Sequence, residues 1–286
     1  MRTAVLLFVC LSAHAQVFTF TRDQLMKYTA KNPYDRFENG RPKVPDSVLE
    51  KVRGLTQEEV WTVLPGKGFP NQYEGNWQVL HPEKTLVGRA VTAQYMPLRP
   101  DVHEVVEADA KSRGLATGVN QRVIDMLQPG DVLVVDLFGK TESGTFVGDN
   151  LATAVFSATK AGMVIDGSIR DLNGIFPIPM GAYFRGVHPS ALRNVTLTAV
   201  NTPVRIGNAT VLPGDVVLGD REGVSFIPPH LVQEILDKAE ETHIHDEWTK
   251  KKFETGQYKS SDLYPRPRDP KLKEEYEAYK KSKLKK

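Results

Sequence analysis

The chain has 286 residues, enough for one large domain or for one domain with extensions. Its apolar fraction of 40% and charged fraction of 25% are ordinary for a soluble globular protein. The net charge of +2 creates no overall positive field, so the composition predicts no nucleic-acid partner.

Residues 1–15 have the three-part pattern of a signal peptide: Arg2, an apolar run over residues 4–11, and a small-x-small site that ends at Ala15. We expect cleavage after Ala15 and export to a periplasmic or secreted location; the alternative is a cytosolic protein with an apolar N-terminus. The apolar run is too short to span a bilayer, so no membrane insertion is expected after the signal is removed. Cys10, the only cysteine, would leave with the signal, so a mature disulfide is excluded.

Residues 16–84 form a predicted helical N-terminal extension that covers the core or a subunit interface. Short helices are predicted over residues 21–31 and 47–53, the second capped by Asp46, and a third begins at a capping box that Thr56 and Glu59 form. An aromatic, polar loop over residues 71–77 follows these helices.

Residues 85–249 form the predicted main domain. Alternating helices and strands followed by consecutive strands predict an α/β fold, layered around a mixed sheet. Strands are expected at 85–95, 132–136, 163–165, 182–187, 194–200, 204–206, 216–218 and 223–227, and helices at 102–113, 120–127 and 230–248. The Pro-Gly-Asp-Val of residues 129–132 recurs at residues 213–216, which indicates two equivalent turns that each lead into a strand.

Residues 250–286 form a predicted basic C-terminal tail, with a solvated helix over residues 271–285. Three glutamates between 274 and 277 dilute the positive charge. The mixed charge predicts an arm on a neighbouring subunit or a disordered tail, and argues against a nucleic-acid or membrane anchor.

Residues 148–171 contain most of the functional signal. Asp149 or Asn150 can cap a helix whose apolar residues recur at helical spacing. Gly162 is predicted to end this helix in the left-handed conformation.

After that helix, a short apolar run at residues 163–165 is typical of a buried strand. Asp166 and Gly167 are predicted to form a turn, with a metal or substrate contact of Asp166 as the alternative. Arg170 and Asp171 follow directly, as an adjacent cation and anion.

The ends of this segment indicate an anion site next to a metal ligand. A helix that starts behind Gly148 presents the free N–H groups of Asn150 and Leu151 to a carboxylate. Arg170 can hold the same carboxylate through two parallel hydrogen bonds. Asp171 supplies the hard oxygen that Mg²⁺ or Mn²⁺ prefers. The alternative is an ordinary surface ion pair between Arg170 and Asp171.

Asp149 lies one helix and one strand before Arg170, so a returning strand would bring the two residues together. The sequence therefore predicts that Asp149, Arg170 and Asp171 share one site. The alternative for Asp149 is a structural role as a helix cap.

This region resembles the family that includes the regulator of ribonuclease activity A and the class II 4-hydroxy-4-methyl-2-oxoglutarate/4-carboxy-4-hydroxy-2-oxoadipate aldolases. The aldolases carry an Asp, then twenty residues, then Arg-Asp, which Asp149 and Arg170-Asp171 match. This match implies catalytic roles for Asp149 and Arg170. One departure is Gly174, because aldolase members often have an acid at that position. The resemblance covers residues 86–245 and rests on residues 148–152, 164–171 and 213–217.

The resemblance implies a β/β/α swivelling-type domain that assembles as a homotrimer or homohexamer, with sites between subunits. It implies a metal-dependent lyase that releases pyruvate from a small 2-oxo acid, with oxaloacetate decarboxylation as a side activity. Asp246 or Glu247 of a neighbouring subunit are possible counterparts of an acid that family aldolases borrow. The alternative is a non-catalytic binding protein of the ribonuclease-regulator type.

Overall fold

The computed structural model describes residues 17–284. The predicted signal peptide, residues 1–15, lies outside the described residues, and its function stays a prediction. Among residues 17–284, no helix has both the length and the apolar character needed to cross a membrane.

A mixed β-sheet forms the centre of the described chain. The strands are β1 (Tyr73–Glu74), β2 (Gln78–Val79), β3 (Leu86–Pro97), β4 (Asp131–Lys140), β5 (Gly162–Ile169), β6 (Gly181–Val187), β7 (Val195–Val200), β8 (Val204–Ile206), β9 (Ala209–Val211), β10 (Val216–Gly219) and β11 (Val224–Ile227). The main sheet has the order β1-β11-β10-β3-β4-β5-β6-β2, with β7 paired to β3. Strands β3 to β6 are parallel to one another, whereas β10, β11, β1, β2 and β7 pair antiparallel with their neighbours.

Helices occupy the extension, the connections and the C-terminal part. They are α1 (Arg22–Tyr28), α2 (Asp46–Val52), α3 (Gln57–Trp61), α4 (Pro100–Ser112), α5 (Gln121–Ile124), α6 (Asp149–Thr159), α7 (Leu172–Ile175), α8 (Val232–Glu254), α9 (Ser260–Leu263) and α10 (Pro270–Leu284). Short 3₁₀ turns lie at Pro65–Lys67 and Pro229–Leu231.

The sheet is covered on both faces, because successive side chains of a strand point to opposite sides. Leu133 and Met163 face the cluster that includes α5 and α6. Their neighbours Val132 and Val164 face the β8–β9 hairpin. A third cluster packs α2, α3 and α8 on β10 and β11. The result is a helix layer, a large mixed sheet and a small second sheet, which confirms the predicted layered α/β fold.

The N-terminal extension contains more than the predicted helices. The capping box of Thr56 and Glu59 is present and starts α3. Asp46, expected to cap α2, instead pairs with Arg89 at 2.7 Å, and Pro45 occupies the cap position. Strands β1 and β2 were not predicted; they pair with β11 and β6 and so extend the sheet at both edges. The extension is thus part of the domain's sheet as well as its cover.

The C-terminal segment folds back on α8 of the same chain. The predicted helix at residues 271–285 is α10, and its Tyr276 is buried against Trp248 of α8. Ion pairs Lys252–Glu275 and Lys280–Glu241 connect the two helices at 2.7 and 2.8 Å. The expected arm or disordered tail is therefore replaced by an intrachain helical hairpin, because aromatic residues give α10 an apolar side. Exposed ion pairs of this kind contribute little each, so the aromatic contact is the main stabilising element.

Candidate active site

The candidate site lies where the parallel strands end. The loop after β4 leads into the N-terminus of α6, and Arg170 follows β5 directly. Because β4 and β5 are adjacent and parallel, their carboxyl ends meet at one edge of the sheet. In open α/β sheets this edge is the usual place for ligands. Two backbone hydrogen bonds hold the loop against β5, from Phe146 N–H to the Ser168 carbonyl (2.8 Å) and from Arg170 N–H to the Val147 carbonyl (3.0 Å).

Helix α6 begins at Asp149, so the predicted cap at Asp149 or Asn150 is wrong: the cap residue is Gly148, which has no side chain to accept a hydrogen bond. The Asp149 carboxylate instead accepts the N–H of Asn150 at 2.8 Å. That amide is therefore not free for a ligand, contrary to expectation. The first-turn N–H of Leu151 has no carbonyl in reach within a regular helix, so it remains a donor for an anion.

Two local predictions in this segment are wrong. The left-handed residue at the end of α6 is Lys160 (φ 57°), whereas Gly162 is already the first residue of β5. Asp166 and Gly167 do not turn the chain, since β5 continues through both residues. The strand continues because β4 and β6 pair with it on both sides, although each pairing is irregular near this point. Asp166 is buried and accepts a hydrogen bond from Arg185 at 2.8 Å, which gives it a structural role.

Arg170 and Asp171 form the ion pair considered above as the alternative, with 3.2 Å between Arg170 Nε and Asp171 Oδ2. Their side chains are 25% and 48% exposed, so both groups still face solvent. Asp171 has a left-handed backbone (φ 59°, ψ 42°) and precedes α7. Such a conformation is uncommon outside glycine and is enriched at functional sites.

Two glycines bring the charged side chains together. A Cβ atom at Gly148 would overlap Asp171 Oδ2 and lie 3.0 Å from Arg170 Nε. A Cβ atom at Gly174 would lie 2.7 Å from both Cβ and Oδ2 of Asp149. Asp149, Arg170 and Asp171 therefore surround these two glycines. The departure at Gly174 has a steric reason, since any side chain there would displace Asp149.

Thr145 is a positioning residue that no pattern in the sequence indicates. It is fully buried, and its hydroxyl accepts a hydrogen bond from Arg170 Nη1 at 3.3 Å while donating one to the Ser190 carbonyl at 2.7 Å. This contact orients the guanidinium toward Gly148. A threonine in a loop carries no pattern that distinguishes it, so only the folded chain identifies it.

The C-terminal acids are engaged within their own chain. Glu247 pairs with Lys251 at 2.6 Å and with Lys283 at 2.9 Å. These ammonium groups lower the pKa of Glu247 to about 2, Lys251 having the larger effect. Asp246 makes longer contacts, at 3.5 Å to His245 and 3.9 Å to Lys250, so its ion pairs are weaker than those of Glu247.

Within residues 17–284, no group of three or more His, Cys, Asp or Glu side chains is placed to hold a metal ion. A metal at this site would therefore depend on few protein ligands. Mg²⁺ accepts that arrangement, because it binds through one or two carboxylates and keeps several waters. The exposed carboxylate of Asp171 fits such an ion, and its contact with Arg170 leaves Oδ1 available.

The fold and this grouping define a layered α/β protein with an exposed acid and arginine site at a helix N-terminus. The chain belongs to the RraA-like family (Aldolase/RraA), which matches residues 66–225.

Individual relatives share less than a third of their residues with this chain over the matched regions. A "Putative 4-hydroxy-4-methyl-2-oxoglutarate aldolase" of Halalkalibacterium halodurans is 29% identical over 160 residues, which are 55% of this chain and 75% of that protein. The 4-hydroxy-4-methyl-2-oxoglutarate aldolase of Thermus thermophilus is 28% identical over 108 residues, 38% of this chain and 65% of that protein. The crystal structure of Streptomyces coelicolor RraAS2, described as an unusual member of the RNase ES inhibitor RraA protein family, superimposes with a TM-score of 0.62. It is 25% identical and covers 76% of this chain and 99% of its own.

Proposed function

We propose that the protein is a divalent-metal-dependent lyase that cleaves a 4-hydroxy-2-oxo acid to pyruvate, with oxaloacetate decarboxylation as a side activity. The observation that supports this proposal is the grouping of Asp149, Arg170 and Asp171 around Gly148 and Gly174. The aldolase names of two relatives support the choice of substrate class.

Substrate binding would use the positive groups. Arg170, oriented by Thr145, would donate to the substrate carboxylate, and the Leu151 amide at the start of α6 would add a second donor. The ion pair with Asp171 limits where the guanidinium can move. The same donors would also stabilise the negative charge that grows on the neighbouring 2-oxo oxygen during cleavage.

Asp149 would move the proton. Its Oδ1 is engaged by Asn150 N–H, whereas Oδ2 lies beside Gly174, whose surroundings are exposed. Asp149 would accept the proton of the C4 hydroxyl as the C3–C4 bond breaks and C4 becomes a carbonyl. The bonding electrons pass to the enolate of pyruvate, and Asp149 returns the proton to C3. General acid–base catalysis of this kind contributes roughly 10²–10⁴-fold.

Asp171 would hold the metal, which is Mg²⁺ or Mn²⁺ in this proposal. When bound, the ion would supply positive charge beside the 2-oxo oxygen. Asp171 Oδ1 is the donor that the Arg170 contact leaves free. The acid that family aldolases borrow would come from a neighbouring subunit. Asp246 is preferred to Glu247, because its ion pairs within its own chain are longer. We propose a homotrimer or homohexamer for this reason, since the site is open in one chain.

The test is a screen of 4-hydroxy-2-oxo acids and oxaloacetate, with added Mg²⁺ or Mn²⁺ and with pyruvate as the readout. We expect pyruvate release that a chelator abolishes and that Asp171→Ala lowers at least about 100-fold. Asp237→Asn, an exposed change on α8, is the matched control and should keep full activity. Activity that survives both the chelator and Asp171→Ala would rule out this mechanism.

A second candidate function is non-catalytic binding on the same scaffold. The observation that favours it is the similarity to RraAS2, named within a ribonuclease-inhibitor family. Asp149→Asn separates the two candidates: an enzyme loses turnover and keeps metal binding, whereas a binder shows no turnover even in the wild type.

Export is part of the proposal. The N-terminal pattern supports a mature chain that starts at Gln16 in the periplasm or the medium. N-terminal sequencing of the chain from fractionated cells tests this, and a chain that keeps Met1 in the cytosol would contradict it.

A further inference from the structure

A cavity of about 470 Å³ lies between the N-terminal extension and the sheet. Its volume is in the range of small-molecule sites. Four parts of the chain contribute to its wall: the end of α1 with the loop after it, the residues before β1, the turn before β10, and the residues that lead into α8. It shares no lining residue with the Asp149 site, so what it binds does not depend on the function proposed there.

A buried acid lines this cavity. Asp215 is 3% exposed, and its Oδ2 accepts the N–H of Leu212 at 2.8 Å. Within residues 17–284, its other oxygen, Oδ1, accepts no hydrogen bond and is not among the fully buried atoms. Because Asp215 is part of the cavity wall, this unpaired oxygen is a binding position for a donor.

The repeated Pro-Gly-Asp-Val turn shows what Asp215 lacks. In the first copy, Asp131 accepts the N–H of Gln128 at 3.0 Å, equivalent to the Leu212 contact. Asp131 is also held by Arg41, whose two terminal nitrogens lie 2.8 and 3.1 Å from its two oxygens. In the second copy, Asp215 has the same backbone contact and is also buried, but no cation within residues 17–284 forms an ion pair with it.

The rest of the cavity wall consists of an apolar surface and two lysines. Phe69 and His230 meet edge to face at 5.7 Å, and Pro228 adds apolar surface beside them. Lys27 and Lys31 line the cavity, are exposed, and form no ion pair with any residue in the range 17–284. Burial raises the pKa of Asp215 to about 7, so a cation beside it would stabilise the ionised form.

We propose that this cavity binds a small molecule with an amino group at one end and a carboxylate at the other, joined by an apolar body. The amino group pairs with Asp215, the apolar body packs on Phe69 and Pro228, and the carboxylate pairs with Lys27 and Lys31. A simple carboxylic acid would leave Asp215 unpaired, and a simple amine would leave the lysines unpaired. Both ends are therefore required.

The experiment measures binding of 4-aminobutanoate, 6-aminohexanoate and 8-aminooctanoate to the full chain at pH 8 by calorimetry. Hexanoate and hexylamine are the probes that each lack one end. We expect at least one amino acid of the series to bind at least about tenfold more tightly than hexanoate and hexylamine. No binding by any member of the series, or equal binding of hexanoate, would overturn the proposal.

Variants locate the binding site. Asp215→Asn keeps the acceptor for Leu212 N–H and should weaken binding at least about tenfold. The double change Lys27→Ala with Lys31→Ala affects only exposed side chains, so it tests the other end without a risk to folding. Lys111→Ala on α4 is the matched control and should bind normally. Undiminished binding in either test variant would refute the assignment.

Discussion

The change Gly148→Ala tests the arrangement of the candidate site most directly. Gly148 has an extended backbone (φ −111°, ψ −168°) that any residue can adopt, so alanine adds no backbone strain. Alanine is a worse helix cap than glycine by roughly 0.5–1 kcal/mol. It also removes conformational freedom from the unfolded chain, which stabilises the fold by about 0.4–1 kcal/mol. These effects offset one another, and we expect the free energy of unfolding to change by less than about 1 kcal/mol.

The functional effect should be much larger than the effect on stability. The added methyl group would overlap Asp171 Oδ2 and lie 3.0 and 3.2 Å from Nε and Cζ of Arg170. Both side chains are partly exposed and can move outward. The carboxylate must shift by about 1 Å to regain an ordinary contact, and a misplacement of that size costs roughly 100-fold in rate. That factor corresponds to about 2.7 kcal/mol of lost transition-state stabilisation.

The assay compares kcat/KM for pyruvate release and thermal unfolding of the same preparations. Gly66→Ala is the matched control, because a Cβ atom at Gly66 meets nothing within 4 Å. We expect the control to keep its activity, and the Tm of Gly148→Ala to shift by less than about 4 °C. Full activity of Gly148→Ala with an unchanged Tm would refute the view that these residues act at one site.

Three further predictions concern other parts of the molecule. Gly174→Ala should lower kcat at least about tenfold with little change in stability, because its methyl group would lie 2.7 Å from Asp149 Oδ2. Arg41→Met should reduce the free energy of unfolding by about 3–5 kcal/mol in urea titration, since it removes the cation that hydrogen-bonds to the fully buried Asp131 and leaves only Arg89, at 3.9 Å. Asp215→Asn should stabilise the protein at pH 8 by about 4 kcal/mol and have little effect at pH 4.

The sign of the last prediction follows from the direction of the pKa shift. Burial raises the pKa of Asp215 from 3.8 to about 7, so the folded protein keeps a proton that the unfolded chain has released. The stability from that proton is complete below about pH 4 and is lost as the pH rises to 7. A variant whose stability falls with pH as steeply as the wild type over this range would contradict the assignment. A loss of less than about 1 kcal/mol in the free energy of unfolding would contradict the prediction for Arg41→Met. An unchanged kcat would contradict the prediction for Gly174→Ala.

Local patterns were sufficient for the elements around the site. Helical spacing correctly predicted α6, although its cap is Gly148, and an apolar run correctly predicted the core of β5. The proximity of the start of α6, at Gly148, to Arg170 also followed from order along the chain, because a helix and a returning strand bring their ends together. The family resemblance rested on these residues together with residues 213–217.

The tertiary structure decided what depends on distant partners. Asp166 and Gly167 have turn composition, but hydrogen bonding to β4 and β6 keeps them in a strand. Strands β1 and β2 have only two residues each and no pattern of their own; they form because exposed edges of the sheet offer them partners. Asp131 and Asp215 stand in identical motifs, yet Arg41 reaches only the first. A motif specifies a local backbone, whereas the charge next to it comes from residues far away in the chain, which only the folded structure brings into contact.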